Sequence, residues 1–227
     1  MLILIILGVA LLAGLIFGPQ FWIKWVMAKH AVEQPEFPGT GGELARHLLD
    51  KAGLETVKLE RIDGGDHYSP ADKAVRLSAK NFDGKSVTAV SVAAHEVGHA
   101  LQHKDNYGPL MMRQKLAGTC IMIERTGGIL MMATPFIFAL TRSPVVLVAE
   151  VVLALGILAS TVVIHIFTLP TEYDASFKRA LPILEGYLRP EDMPGARRVL
   201  KAAAYTYVAS ALVSILDMAR WLRILRF

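Results

Sequence analysis

The sequence predicts a mainly α membrane protein: transmembrane helices around a small α+β domain that carries a short β-hairpin. Two observations predict it. Hydrophobic residues make up 53% of the 227 positions, above the usual range for soluble chains, and they fall in long runs. Between the first and second of these runs lies one polar stretch, residues 31 to 115, with helix, strand and turn signals of its own.

The first run, residues 2 to 23, has no charge and ends in Phe21-Trp22 and then Lys24 and Lys29, as a retained anchor would. A cleaved leader wants a basic start and a small-residue cleavage site, and neither flanks this run. In the polar stretch, "EQPEFPGTGG" reads as a linker and residues 42 to 54 as a helix with Leu44, Leu48 and Leu49 on one face, stopped at Gly53. "TVKLERI" and "KAVRLS" read as strands joined by the turn-rich "DGGDHYSPAD". "SVTAVSVAAHEVGHALQH" reads as a helix, apolar on nearly every side of its first half.

Residues 116 to 140 and 144 to 169 then predict a membrane hairpin turning at Arg142, with Glu124, Arg125, Glu150 and His165 as expensive polar members and Cys120 as a buried, inert thiol. The last run, from residue 201, either crosses or lies in the interface. The domains expected are therefore an anchor at 1–30, a membrane-proximal catalytic domain at 31–115, a hairpin at 116–170, a ligand-bearing helix at 171–200 and a terminal helix at 201–227. Basic residues flank the polar segments (Lys24, Lys29, Arg113, Lys115, then Lys178 to Lys201), which places those segments in the cytoplasm. The net charge of +4 is modest and lies beside apolar runs, so it argues for the lipid bilayer and against nucleic acid as a partner. With one cysteine, no internal disulfide and no cysteine cluster is available, and a metal site must use His, Asp and Glu.

The chemistry concentrates in "AAHEVGHALQHKD", residues 93 to 105. His95 and His99 stand four apart, so one helix face offers two nitrogen ligands to one tetrahedral ion. Glu96 is rotated off that face, placed to act as general base on a water at the ion. His103 shares the face but lies about 12 Å from His95 by helix rise, too far for both to hold one ion. Asp105 stands where some zinc peptidases carry a third ligand, but Gln102 replaces the glycine that would turn the chain there. A remote carboxylate is the better third ligand. "LPTEYDASFKRAL", residues 169 to 181, offers Glu172 with Ser176 and Arg179 on one face and Asp174 turned away, and two membrane crossings would return it to the side of His95. The same acidic residues would also suit the first turn of a helix after Pro170.

Taken in order, "DHYSPADKAVRLS", "SVAAHEVGHALQH", "LPTEYDASFKRAL" and "AAAYTYVASAL" resemble the bacterial membrane-bound neutral zinc metallopeptidases of the YugP type, across nearly the whole chain. More distantly the chain resembles the HtpX-type and CAAX-processing proteases. The resemblance implies a zincin-like, gluzincin-type hydrolase of the bacterial inner membrane, multi-pass, its site on the cytoplasmic side. It implies one Zn2+ per chain on His95, His99 and Glu172, with Glu96 activating the zinc-bound water against peptide bonds of a protein substrate, membrane proteins included. In the distant relatives an aspartate four residues after the glutamate supports a ligand; here that position is Ser176, with Asp174 beside it, so either could orient a histidine. The resemblance also draws attention to His67 and Tyr68, either as donors to an oxyanion or as residues of a plain turn. "KAVRLS", with Arg76, would pair with an extended substrate along its edge. The competing class is a zinc-binding membrane scaffold without turnover, in which Glu96 would have no task.

Overall fold

The computed structural model describes residues 2–143, 168–206 and 208–209, together with 145, 146, 148, 149, 152, 153, 156 and 157. In chain order the elements are α1 (Leu2–Lys29), α2 (Gly41–Lys51), β1 (Lys58–Ile62), β2 (His67–Ser69), β3 (Ala74–Ser78), α3 (Ala79–Asp83), α4 (Val87–Lys104) and α5 (Gly108–Thr141). A helix over residues 168 to 184, here α6, contains the π-helical stretch Asp174–Ala180, and α7 spans Met193–Ala204.

α4 is the central element. Its residues from Val87 to Ala100 are all buried, because α2, α6, α7 and the sheet pack around it. Small side chains let these neighbours approach. Ala89, Ala93, Ala94 and Ala100 have at most 1% exposure. A Cβ on Gly98 would sit 2.9 Å from the carbonyl oxygen of Ala175 in α6, closer than real contacts allow. Glycine there costs helix stability of roughly 1 kcal/mol relative to alanine, and the close approach of α6 is what it permits. α2 starts as the sequence signals: Thr40 Oγ1 accepts from the Glu43 amide at 3.2 Å and Glu43 Oε2 accepts from the Thr40 amide at 2.7 Å, a complete capping box. It ends before Gly53, whose φ of +66° suits the left-handed stop.

The strands depart from the expected hairpin. β1 pairs with β3 in parallel, and β2 pairs with β3 antiparallel, giving the order β1-β3-β2. What reads as one long turn holds a short strand, "HYS", which occupies the far side of β3. β3 is therefore central and has no free edge, so the edge-pairing role expected of "KAVRLS" is corrected. Arg76 is held by Glu60 at 2.7 Å and Asp72 at 2.9 Å, away from the cavity described below.

The membrane-protein fold class is also corrected: among the described residues, no helix is long and apolar enough to cross a membrane. α1 contains Pro19, and its last turns face inward, with Val26 1% exposed and Trp22, Ile23 and Met27 packed on the core. α5 runs unbroken for 34 residues but carries Arg113, Lys115, Glu124 and Arg125 between its start and its middle. Glu150, His165 and residues 210 to 227 lie outside the described residues, as does most of the second arm of the expected hairpin. Glu172 meets the histidines through the packing of α6 on α4.

Candidate metal centre

His95, His99 and Glu172 converge at the contact of α4 with α6. Glu172 Oε2 lies 3.2 Å from His95 Nε2 and 3.4 Å from His99 Nε2, and all three donor atoms fall within 4.8 Å of one another. The imidazoles cross at 78° with centroids 4.7 Å apart, so both Nε2 atoms address the same point. All three residues are buried, Glu172 to 1% exposure.

The partners of these residues fix their protonation. Ser176 Oγ donates to the carbonyl of Leu200 at 3.1 Å, so its remaining contact, 3.0 Å to His95 Nδ1, must be an acceptance from Nδ1–H. His99 Nδ1 lies 3.0 Å from Gln102 Oε1, an acceptor only, and again Nδ1 carries the proton. Each imidazole thus keeps its Nδ1 proton, and Nε2 is the nitrogen that faces Glu172 and would face a metal once its own proton is lost. Arg113 Nη1, from α5, donates to Glu172 Oε1 at 2.8 Å and leaves Oε2 to the histidines. Burial alone would raise the Glu172 pKa. The facing His99 charge and the hydrogen bonds from His95 and His99 outweigh it and hold the carboxyl well below its usual range. For His99, burial works downward, but the Glu172 charge and hydrogen bond win, and its pKa is raised.

Glu96 stands beside the triad, 6% exposed, in the same cavity. Its pKa is raised, first by burial, with Glu172 and Asp66 adding to the rise against the pull of His95 and His99. That cavity measures about 640 Å3. One wall is β2, with His67 and Tyr68; another is the first turns of α5, with Leu110, Arg113 and Gln114. Asp66 anchors the β2 wall by accepting from the Ser78 amide at 2.7 Å and from Asn81 Nδ2 at 2.7 Å. His67 Nδ1 lies 2.9 Å from the Gly65 carbonyl and donates to it. Tyr68 Oη lies 2.8 Å from His103 Nδ1, and burial pushes the phenol up to about 12, so it stays protonated.

His103 therefore meets Tyr68 rather than the triad, and Asp105 binds Arg179 at 2.6 Å. Asp174 does not turn away, as an α-helical reading requires. Within the π-helical stretch its Oδ2 accepts from Gln102 Nε2 and from Arg179 Nε, each at 2.8 Å. Gln102, Arg113 and Gln114 are site residues that the spacing of histidines did not reveal. A polar residue on the buried face of α4, three after His99, was the available signal for Gln102.

The donor set fits zinc. Two neutral imidazoles in the Nε2-presenting tautomer and one carboxylate oxygen form a compact N2O set of the kind that leaves room for a fourth ligand. Both histidines have their other nitrogen pinned by an oxygen acceptor, as metal-bound imidazoles require.

Comparison with known proteins agrees. The family model described as "Putative neutral zinc metallopeptidase" matches residues 2–226. A Bacillus subtilis (strain 168) protein named "Putative membrane protease YugP" is 36% identical over 216 residues, covering 93% of this chain and 92% of its own length. No solved structure matches the chain. With a family model spanning nearly every residue and a buried His95-His99-Glu172 group that can hold the metal, this chain belongs to the neutral zinc metallopeptidase family.

Proposed function

We propose that the chain is a zinc-dependent endopeptidase that hydrolyses peptide bonds in the cavity between β2 and α5, with one zinc ion on His95, His99 and Glu172. The observation that carries this reading is the juxtaposition of three converging buried donors with Glu96 in one open cavity. Zinc supplies Lewis acidity toward the substrate carbonyl and lowers the pKa of a coordinated water to about 7. Glu96, its proton affinity raised by burial, takes the proton from the attacking water and delivers it to the departing amine as the C–N bond breaks. Arg113 holds the Glu172 carboxylate in place.

His67 and Tyr68 line the cavity where the carbonyl oxygen would gain charge. Neutral His67 cannot donate through Nε2, since Nδ1 carries its proton toward Gly65; only its imidazolium can. Tyr68, held protonated, is the better donor, released from His103 when substrate enters. β2 is an edge strand of the sheet and its residues His67 and Tyr68 line the cavity, which favours an extended peptide over a lipid amide. We place the enzyme at the cytoplasmic face of a bacterial cell membrane. The name of the Bacillus subtilis relative supports this, as do the exposed Phe21 and Trp25 beside Lys24 and Lys29.

Glu96→Gln tests the reading. The variant should bind zinc as the parent does and lose cleavage of a broad peptide library by roughly 10²–10⁴-fold. A zinc-loaded parent that cleaves nothing in that library would favour the scaffold reading instead.

A further inference from the structure

Gln102 has no exposed surface, and all of its hydrogen-bonding capacity near the site is used in one direction. Its Oε1 faces His99 Nδ1 at 3.0 Å, and its Nε2 donates both hydrogens, to the Thr171 carbonyl and to Asp174 Oδ2, each at 2.8 Å. Asp174 is 6% exposed and is itself held by Arg179 Nε at 2.8 Å; Arg179 in turn reaches Asp105 Oδ2 at 2.6 Å. The chain of contacts runs His99–Gln102–Asp174–Arg179–Asp105, from the buried centre to the surface.

The amide cannot be turned over. A flipped Gln102 would set its carbonyl oxygen against the Thr171 carbonyl and the Asp174 carboxylate, two acceptors in a buried setting. It would also bring NH2 against His99 Nδ1–H. His99 could relieve that clash only by giving up the Nδ1 proton and keeping one on Nε2, the nitrogen that a metal needs bare. The orientation of one buried amide therefore decides whether His99 can act as a ligand, and Asp174 and the Thr171 carbonyl decide the orientation. The π-helical stretch matters here, since Thr171, Glu172, Asp174 and Ser176 all turn toward α4 within six residues.

We propose that Gln102 is a positioning residue for the metal ligand His99, its amide oriented by Asp174, and Asp174 held in place by Arg179. A direct carboxylate–imidazole contact would make His99 a more electron-rich ligand. An intervening amide transmits the orientation while keeping the carboxylate away from the ring. Both histidines then rest on neutral oxygens, Ser176 Oγ for His95 and Gln102 Oε1 for His99.

Zinc affinity by chelator competition and the visible absorption of the Co2+-substituted full-length chain test this without reference to activity. Gln102→Leu and Asp174→Ala should weaken zinc binding about 10–100-fold. Asp174→Asn, which keeps an acceptor for Gln102 and Arg179, should recover most of that loss. Gln102→Glu retains a charged acceptor for His99 Nδ1–H but sets its second oxygen against Asp174, so it is combined with Asp174→Asn, whose amide can turn to donate; this double variant should bind Co2+ with shifted absorption bands. It also serves if Gln102→Leu does not fold. Parental zinc affinity in folded Asp174→Ala, together with unshifted cobalt bands in the Gln102→Glu, Asp174→Asn double variant, would overturn the relay. A parent chain that takes up no zinc would overturn the metal centre itself, a different failure.

Discussion

Arg113 on α5 and Glu172 on α6 meet at 2.8 Å, guanidinium Nη1 to carboxylate Oε1, and this contact selects which oxygen of Glu172 faces the histidines. The pair is largely shielded, the Arg113 side chain being 24% exposed and that of Glu172 2%. Arg113→Met should free the carboxylate to rotate and weaken zinc binding by about 10-fold or more, read by chelator competition. Unchanged affinity would show that Glu172 is positioned by α6 alone.

Gly98 makes the approach of α4 to α6 possible, with the Ala175 carbonyl 2.9 Å from where a Cβ would stand. The neighbour is backbone and cannot swing aside. Gly98→Ala should therefore destabilise by about 1–3 kcal/mol despite the better helix propensity of alanine. A thermal melt showing a raised midpoint would contradict the packing described here.

Thr40→Ala removes half of the α2 capping box, and neither Thr40 nor α2 lines the cavity. It should cost about 1 kcal/mol, lower the melting temperature by a few degrees and leave zinc affinity untouched. It serves as the control that separates stability from metal binding.

The metal-free centre has its own pH dependence. Glu172, with a lowered pKa, contributes stability above the ordinary carboxylate range and loses it as pH falls through its folded value. His99, with a raised pKa, contributes below the ordinary imidazole value of about 6.5 and loses that contribution as pH rises through its folded value. The His99–Glu172 pair is thus most stabilising in mildly acid solution. Zinc demands neutral imidazoles and acts in the opposite sense. The zinc-induced rise in melting temperature should therefore grow from about pH 5.5 to about pH 8. A rise that shrinks over that interval would exclude the histidines as ligands.

The histidine pair and Glu96 were legible because helix periodicity is a local property: a four-residue spacing puts two rings on one face whatever the rest of the chain does. The α2 cap and its stop at Gly53 were legible for the same reason. Long-range partners were not. Nothing in the spacing of "DASFKRA" announces a π-helical stretch, and without it Asp174 reads as turned away from the face of Glu172, Ser176 and Arg179, though it binds Gln102. "HYS" reads as turn because its strand character comes from pairing with β3 rather than from its own composition. Apolar runs mislead where tertiary packing claims them: Trp22 and Ile23, at the end of a run that looks like lipid-facing helix, pack against the core beside buried Val26.

Zinc stoichiometry of the purified full-length chain, compared with that of Glu172→Ala, tests the central claim most directly. The account predicts one zinc per parent chain and little or none retained by the variant after dialysis against a mild chelator. Undiminished zinc in a folded Glu172→Ala protein would remove Glu172 from the ligand set and contradict the centre described here.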